Sequence, residues 1–137
     1  MTPQEFASLK TLLAKFVQSG QTELATMTRG ILSTDALPRT VAISGLTETI
    51  DLSQGNLFKV TLGASTTLTL SNPQETVYIF KLIQGAAGSN TVTWPSNVVW
   101  TGDVTPTLTT TLGAWDIITL VWDGVYFSGT STLNFTV

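Results

Sequence analysis

VWDGVYF, residues 121–127, sets an Asp-Gly pair between two runs of β-branched and aromatic residues. Asp and Gly accept the positive φ angles that a two-residue type I′ turn demands, and the runs on either side favour extended backbone. The stretch therefore predicts a β-hairpin with Asp123 and Gly124 at its tip. Trp122 is expected to face Val125, and Val121 to face Tyr126.

The chain reads the same way outward from this hairpin as far as Thr40. TVAIS, ETIDLS, LFKVTLG, TTLTLS, TVYIFKLIQG, NTVTW, NVVW, PTLTTT, WDIITLVW and VYFSG are short segments rich in Val, Ile, Thr and aromatics, parted by Gly, Pro, Asn and Ser. Strand signals recur about every 8–12 residues with no helical pattern between them, which points to an antiparallel β-sandwich or jelly-roll-like domain over residues 40–137. Residues 1–39 differ. Thr2 as N-cap, Pro3 in the first turn and Glu5 as capping-box partner open a helix. Phe6, Leu9, Leu12, Leu13, Phe16 and Val17 then form one apolar stripe until Gly20, and a weaker helical stretch spans residues 21–31. Phe6 and Leu13 lie seven apart, as do Leu9 and Phe16. That seam fits either a helix packed on its own domain or one that meets copies of itself or a larger partner.

Composition narrows the function. Of the 137 residues only 11% are charged and 42% are hydrophobic, against about 25% charged in an average soluble domain. Such a chain either presents a neutral, hydroxyl-rich surface, for which its 26 threonines would serve, or hides much of its surface against other chains. Net charge is −3, and the six Lys and Arg residues are scattered, so phosphate-driven binding of nucleic acid is not expected. The N-terminus lacks a signal-peptide pattern, and no apolar run is long enough for a membrane helix. The expectation is a soluble protein made in a cytoplasm.

The chain has no Cys and no His, which removes disulfides, thiolate metal sites and the histidine-based catalytic arrangements. No catalytic, cofactor or metal site is expected. Two carboxylates could serve a glycosidase, and Asp103, Asp116 and Asp123 lie near tryptophans that could stack on sugar, but Asp103 and Asp123 read as turn residues and Asp116 as a strand-start carboxylate bonded to nearby amides. The glycines of QGAAGSN, residues 84–90, precede no helix and read as a loop between strands.

Two strands carry more apolar surface than one core needs. In residues 77–83, Val77, Ile79, Lys81 and Ile83 share one face and Tyr78, Phe80 and Leu82 the other. In residues 115–122, Trp115, Ile117, Thr119 and Val121 oppose Asp116, Ile118, Leu120 and Trp122. The second face is expected to meet another subunit, the alternative being a central strand covered by a loop. In TVTWPSNVVW, residues 91–100, Trp94 and Trp100 are expected to bracket a turn of Pro95, Ser96 and Asn97, filling the core and an intersubunit seam rather than a ligand groove. The interface candidates are thus Phe6, Leu9, Leu13, Phe16, Trp94, Trp100, Trp115 and Trp122.

The order of five of these pieces resembles a β module at the ends of bacteriophage fibre and virion surface proteins. The pieces are Thr91 to Pro95, Trp100, Pro106 to Leu108, Asp116 to Ile118 and Asp123 to Gly129, and with the upstream strands the resemblance covers residues 47–129. It implies a β-sandwich or jelly-roll-like module, usually trimeric, on the exterior of a virion, and no catalytic residues. About forty residues precede the module, so a long shaft is not expected. The resemblance so read implies a capsid decoration or cement protein, or a short fibre. Its head would form a homotrimer and its helical foot would dock on the major capsid protein or another virion component. The alternative is a tail-fibre tip adhesin that binds host surface glycans.

Overall fold

The computed structural model of the chain describes residues 2–8 and 38–137. The chain divides into two compact units, Met1–Ala36 and Leu37–Val137, each considered by itself.

In the first unit residues 3–8 are helical, and the expected capping box is present. The Thr2 amide donates to Glu5 Oε2 at 2.8 Å, the Glu5 amide donates to Thr2 Oγ1 at 3.1 Å, and the Phe6 amide donates to the Thr2 carbonyl at 2.9 Å. These bonds satisfy amides that a helix start otherwise leaves bare. Phe6 is exposed. Leu9, Leu13 and Phe16, with the heptad seam and the stretch at 21–31, lie outside the described residues.

The second unit is mainly β and sandwich-like. Its strands are β1 (Arg39–Ile43), β2 (Thr47–Asp51), β3 (Leu57–Leu62), β4 (Thr66–Ser71), β5 (Val77–Gln84), β6 (Val92–Thr93), β7 (Val98–Trp100), β8 (Trp115–Trp122) and β9 (Phe127–Phe135). A six-stranded sheet runs β1-β3-β5-β8-β9-β7, and a three-stranded sheet runs β2-β4-β6. Side chains from both sheets meet in one core, with Ile50, Leu52 and Leu68 from the smaller sheet and its flank against Phe58, Val60, Phe80, Leu82, Ile118, Leu120 and Phe127 from the larger.

Strand direction departs from the antiparallel expectation. Only β5–β8 and β8–β9 are antiparallel; β1–β3, β3–β5, β2–β4, β4–β6 and β7–β9 are parallel. The cause lies in the connectors. From β1 to β6 each strand hands over to the opposite sheet instead of doubling back in its own, so the chain winds as a coil and each strand lies beside its predecessor one circuit earlier. Residues 44–46 and 63–65 make the two shortest of these crossings between sheets. Three extended residues span about 10 Å, the separation of stacked sheets, so such connectors can cross but have no slack. Stacked crossings also bring backbones close. Gly63 donates its amide to the Ile43 carbonyl at 2.8 Å, and a Cβ there would lie 2.5 Å from that oxygen. Gly85 repeats the contact one circuit later, donating to the Leu62 carbonyl at 2.9 Å.

The β8–β9 hairpin forms where VWDGVYF predicts, but with a different turn. Trp122 pairs with Phe127 and Val121 with Ser128, leaving Asp123 to Tyr126 as a four-residue loop. Gly124 has φ +99°, whereas Asp123 is not left-handed. The Asp123 carboxylate explains the shift: Oδ1 accepts the amides of both Val125 and Tyr126 at 2.8 Å, closing an Asx-type turn around its own side chain.

Candidate functional site: the outer face of the six-stranded sheet

Alternation sends every second residue of the larger sheet away from the core. On β5 these are Val77, Ile79, Lys81 and Ile83, and on β8 they are Trp115, Ile117, Thr119 and Val121. Register sets them side by side: Val77 opposes Val121, Ile79 opposes Thr119, Lys81 opposes Ile117 and Ile83 opposes Trp115. β3 adds Leu57 beside Ile79 and Lys59 beside Lys81. Val77 and Val121 are each 42% exposed and Ile79 is 38% exposed, while Leu57, Ile83, Trp115 and Ile117 are half-buried, so the face is open to solvent at its Val77–Val121 end. Part of the expected apolar strand surface is therefore left exposed within the described residues.

The smaller sheet shows what a solvated face of this chain looks like. Thr47, Thr67 and Thr93 stand in register, as do Thr49 and Thr69, and all five are exposed. The smaller sheet is thus dressed in hydroxyls, whereas on the larger one branched and aromatic carbon dominates β5 and β8, flanked by hydroxyls of Thr40, Thr61, Ser128, Thr130 and Thr132. That difference marks the larger sheet's outer face as the functional candidate.

Its aromatic end is built by a buried carboxylate. Asp116 is 2% exposed and accepts the Thr109 amide and hydroxyl, each at 2.7 Å, and the Asn134 amide at 2.8 Å. The bond to Asn134 sits at the register shift between Trp115 and Ile117, where β9 gains a residue against β8 and Phe135 comes to pair with Trp115. The two rings stack at 5.9 Å with planes 9° apart. Lys81 Nζ lies 4.2 Å from the Trp115 ring centroid, a cation–π contact that lays its aliphatic stem along the face.

The four tryptophans separate. Trp115 belongs to the outer face. Trp94 and Trp100 pack edge to face at 5.3 Å, and Phe80 meets Trp94 at 6.2 Å, so both pack partly buried against the core, the half of the expectation for residues 91–100 that concerns the core. Trp94 Nε1 is buried without a hydrogen-bond partner. Trp122 lies against Phe127 at 4.4 Å. Trp100 also borders a groove of about 450 Å³ lined with Thr101, Val104, Pro106, Gly129, Thr130, Ser131 and Leu133. The groove holds no charged side chain.

Phe135 is the site residue that sequence reasoning missed. The last predicted strand ends near Gly129, whereas β9 continues to Phe135. GTSTLN, residues 129–134, is rich in turn-forming residues, and only pairing with β8 makes it a strand.

Carboxylates are placed structurally. Asp51 is held below the usual carboxylate range by hydrogen bonds from the Ser53 side chain, then Asn72, then the Ser53 amide. Asp123 is lowered by the Tyr126 and then the Val125 amide. Asp103 has left-handed backbone, φ +60°, in an exposed turn. Among the described residues no group of three Asp, Glu, His or Cys residues is placed to hold a metal ion, and no helix is long and apolar enough to cross a membrane. No protein-family model, curated protein or solved structure matches the chain.

Proposed function

We propose that this chain is a structural protein of a bacteriophage virion exterior, a capsid decoration or cement protein or a short fibre. In this reading the β unit assembles with copies of itself and the N-terminal segment docks on the major capsid protein or another virion component. The observation that carries assembly is the uncovered apolar face of β5 and β8. Placement on a virion, and the homotrimer in particular, rest on the resemblance of residues 47–129 to the fibre and decoration module. Burying the face against a second subunit would stabilise by about 25 cal/mol for each Å² of apolar area withdrawn from water. No catalytic step, cofactor or metal enters this reading.

Two measurements test it. Sedimentation should give a multiple of the 14.6 kDa chain mass, and Ile79→Asp, on the exposed centre of the face, should return the protein to a folded monomer. A wild-type chain that stays single at high concentration would sink the assembly reading. Mass spectrometry of purified particles should find the chain as a virion component; capsid-like copy number indicates decoration and a handful of copies indicates a fibre.

The uncharged groove beside Trp100 supports a second reading, a fibre-tip adhesin. An aromatic ring among hydroxyls and no charge suits neutral glycans. In that case Trp100→Ala would abolish binding on a glycan array without changing the solution mass.

A further inference from the structure

This inference rests on the assembly reading and names the contact. Among the positions that the register turns outward on the larger sheet, the charged side chains are Lys59 and Lys81, with no carboxylate. The two lysines stand directly opposite each other on β3 and β5. Like charges in that relation repel, and neither forms a salt bridge among the described residues. Lys81 leans on the Trp115 ring, while Lys59 is exposed. Any surface that covers this face must therefore bring anions along with apolar atoms, because a cation buried without a counter-ion costs more than the surrounding carbon gains.

Among the described residues, the β8–β9 tip carries that combination with two carboxylates at one turn. At the β8–β9 tip Val125 is 63% exposed and Tyr126 50% exposed. Asp123 is anchored there by two amides that favour its ionised form. Glu75 lies against the same turn, its Oε1 3.2 Å from where a Cβ on Gly124 would sit. The tip is thus an acidic, apolar knob. It cannot serve its own lysines: Lys81 is four residues along β5 from Val77, which pairs with Val121 next to the tip, a separation of about 13 Å. Lys81 also turns toward Trp115, at the far end of the strand. We infer that the β8–β9 tip of one copy, with Glu75, Asp123, Val125 and Tyr126, seats on the outer sheet face of a second copy, where Lys59 and Lys81 receive its carboxylates.

Charge reversal in the full-length chain tests this by sedimentation over a range of concentrations. Lys59→Glu and Glu75→Lys are surface changes and should each weaken self-association about tenfold, since like charges would then meet across the contact. The variant with both reversals should return close to the wild-type association. Circular dichroism confirms that each variant is folded, and Lys59→Gln and Glu75→Gln, which remove charge without reversing it, should show smaller losses. Association unchanged in both single variants, or a double variant weaker than either, overturns the contact while leaving assembly in place. So does a Lys59→Glu chain that loses attachment to particles but keeps its own association, because the face would then seat a different protein. A monomeric wild type is a separate result, and it removes the assembly reading as well.

Discussion

Replacing Asp116 with alanine tests how the aromatic end of the outer face is held. Its carboxylate accepts three hydrogen bonds, from the Thr109 amide, the Thr109 hydroxyl and the Asn134 amide. Alanine strips all three donors of their acceptor, and each buried donor so exposed costs about 1–3 kcal/mol. The region is only part-buried, so water repairs some of the loss and the lower half of that range applies, giving about 3–6 kcal/mol in total. A unit of this size is stable by about 5–15 kcal/mol, so the variant should be a large fraction of the way to unfolding. At about 4–8 °C per kcal/mol, Tm should fall by at least about 12 °C. Asparagine keeps an oxygen for the Thr109 hydroxyl and the Asn134 amide, but turns an NH₂ group toward the Thr109 amide, donor against donor. It should cost less than alanine, roughly 2 kcal/mol. Urea unfolding of the full chain, followed by tryptophan fluorescence, reads both. An alanine variant within about 1 kcal/mol of wild type would refute the claim that this carboxylate holds the strand bulge.

Three further outcomes follow from particular contacts. Gly63→Ala should destabilise by about 1–3 kcal/mol, because its Cβ would lie 2.5 Å from the Ile43 carbonyl oxygen and the stacked crossings must spread; thermal melts against a Gly45→Ala control, where the nearest atom is 3.7 Å away, measure the difference. Gly129→Ala should displace Trp100, whose ring carbons lie 2.6 Å from that Cβ position, and shift the tryptophan emission spectrum; an unchanged spectrum would contradict the packing. The lowered pKa values of Asp51 and Asp123 mean that the folded state binds these protons less readily than the unfolded chain. Their contribution is fully present above the ordinary value of 3.8 and is lost as pH falls below it through the folded values. Asp51→Asn should therefore flatten the acid side of a Tm-versus-pH curve and leave its shape at neutral pH unchanged.

Much of this protein follows from local pattern. The two-residue period marks strands and sorts their faces before any partner is known, so the surplus of apolar surface on residues 77–83 and 115–122 is legible in the chain alone. The Thr2 and Glu5 capping box is equally local, since its bonds close within three residues. The absence of His and Cys sets limits on chemistry without reference to a fold. Strand direction is another matter. Alternation is identical for parallel and antiparallel neighbours, and only the long-range pairing shows that the chain changes sheet after each strand from β1 to β5. A trace was present in the register steps, 19 residues from Arg39 to Phe58 and 22 from Phe58 to Phe80, but a coil with uneven circuits leaves little repetition in sequence. The hairpin loop also escaped the local rule, because Asp123 spends its carboxylate on the Val125 and Tyr126 amides and lengthens the turn. Phe135 reaches Trp115 only through the bulge that Asp116 holds, a contact between residues twenty positions apart in the chain. Sequence determined which faces are apolar, because burial preference resides in each side chain; tertiary structure decided which of those faces stays bare, because that depends on which strands come to lie beside and across from one another.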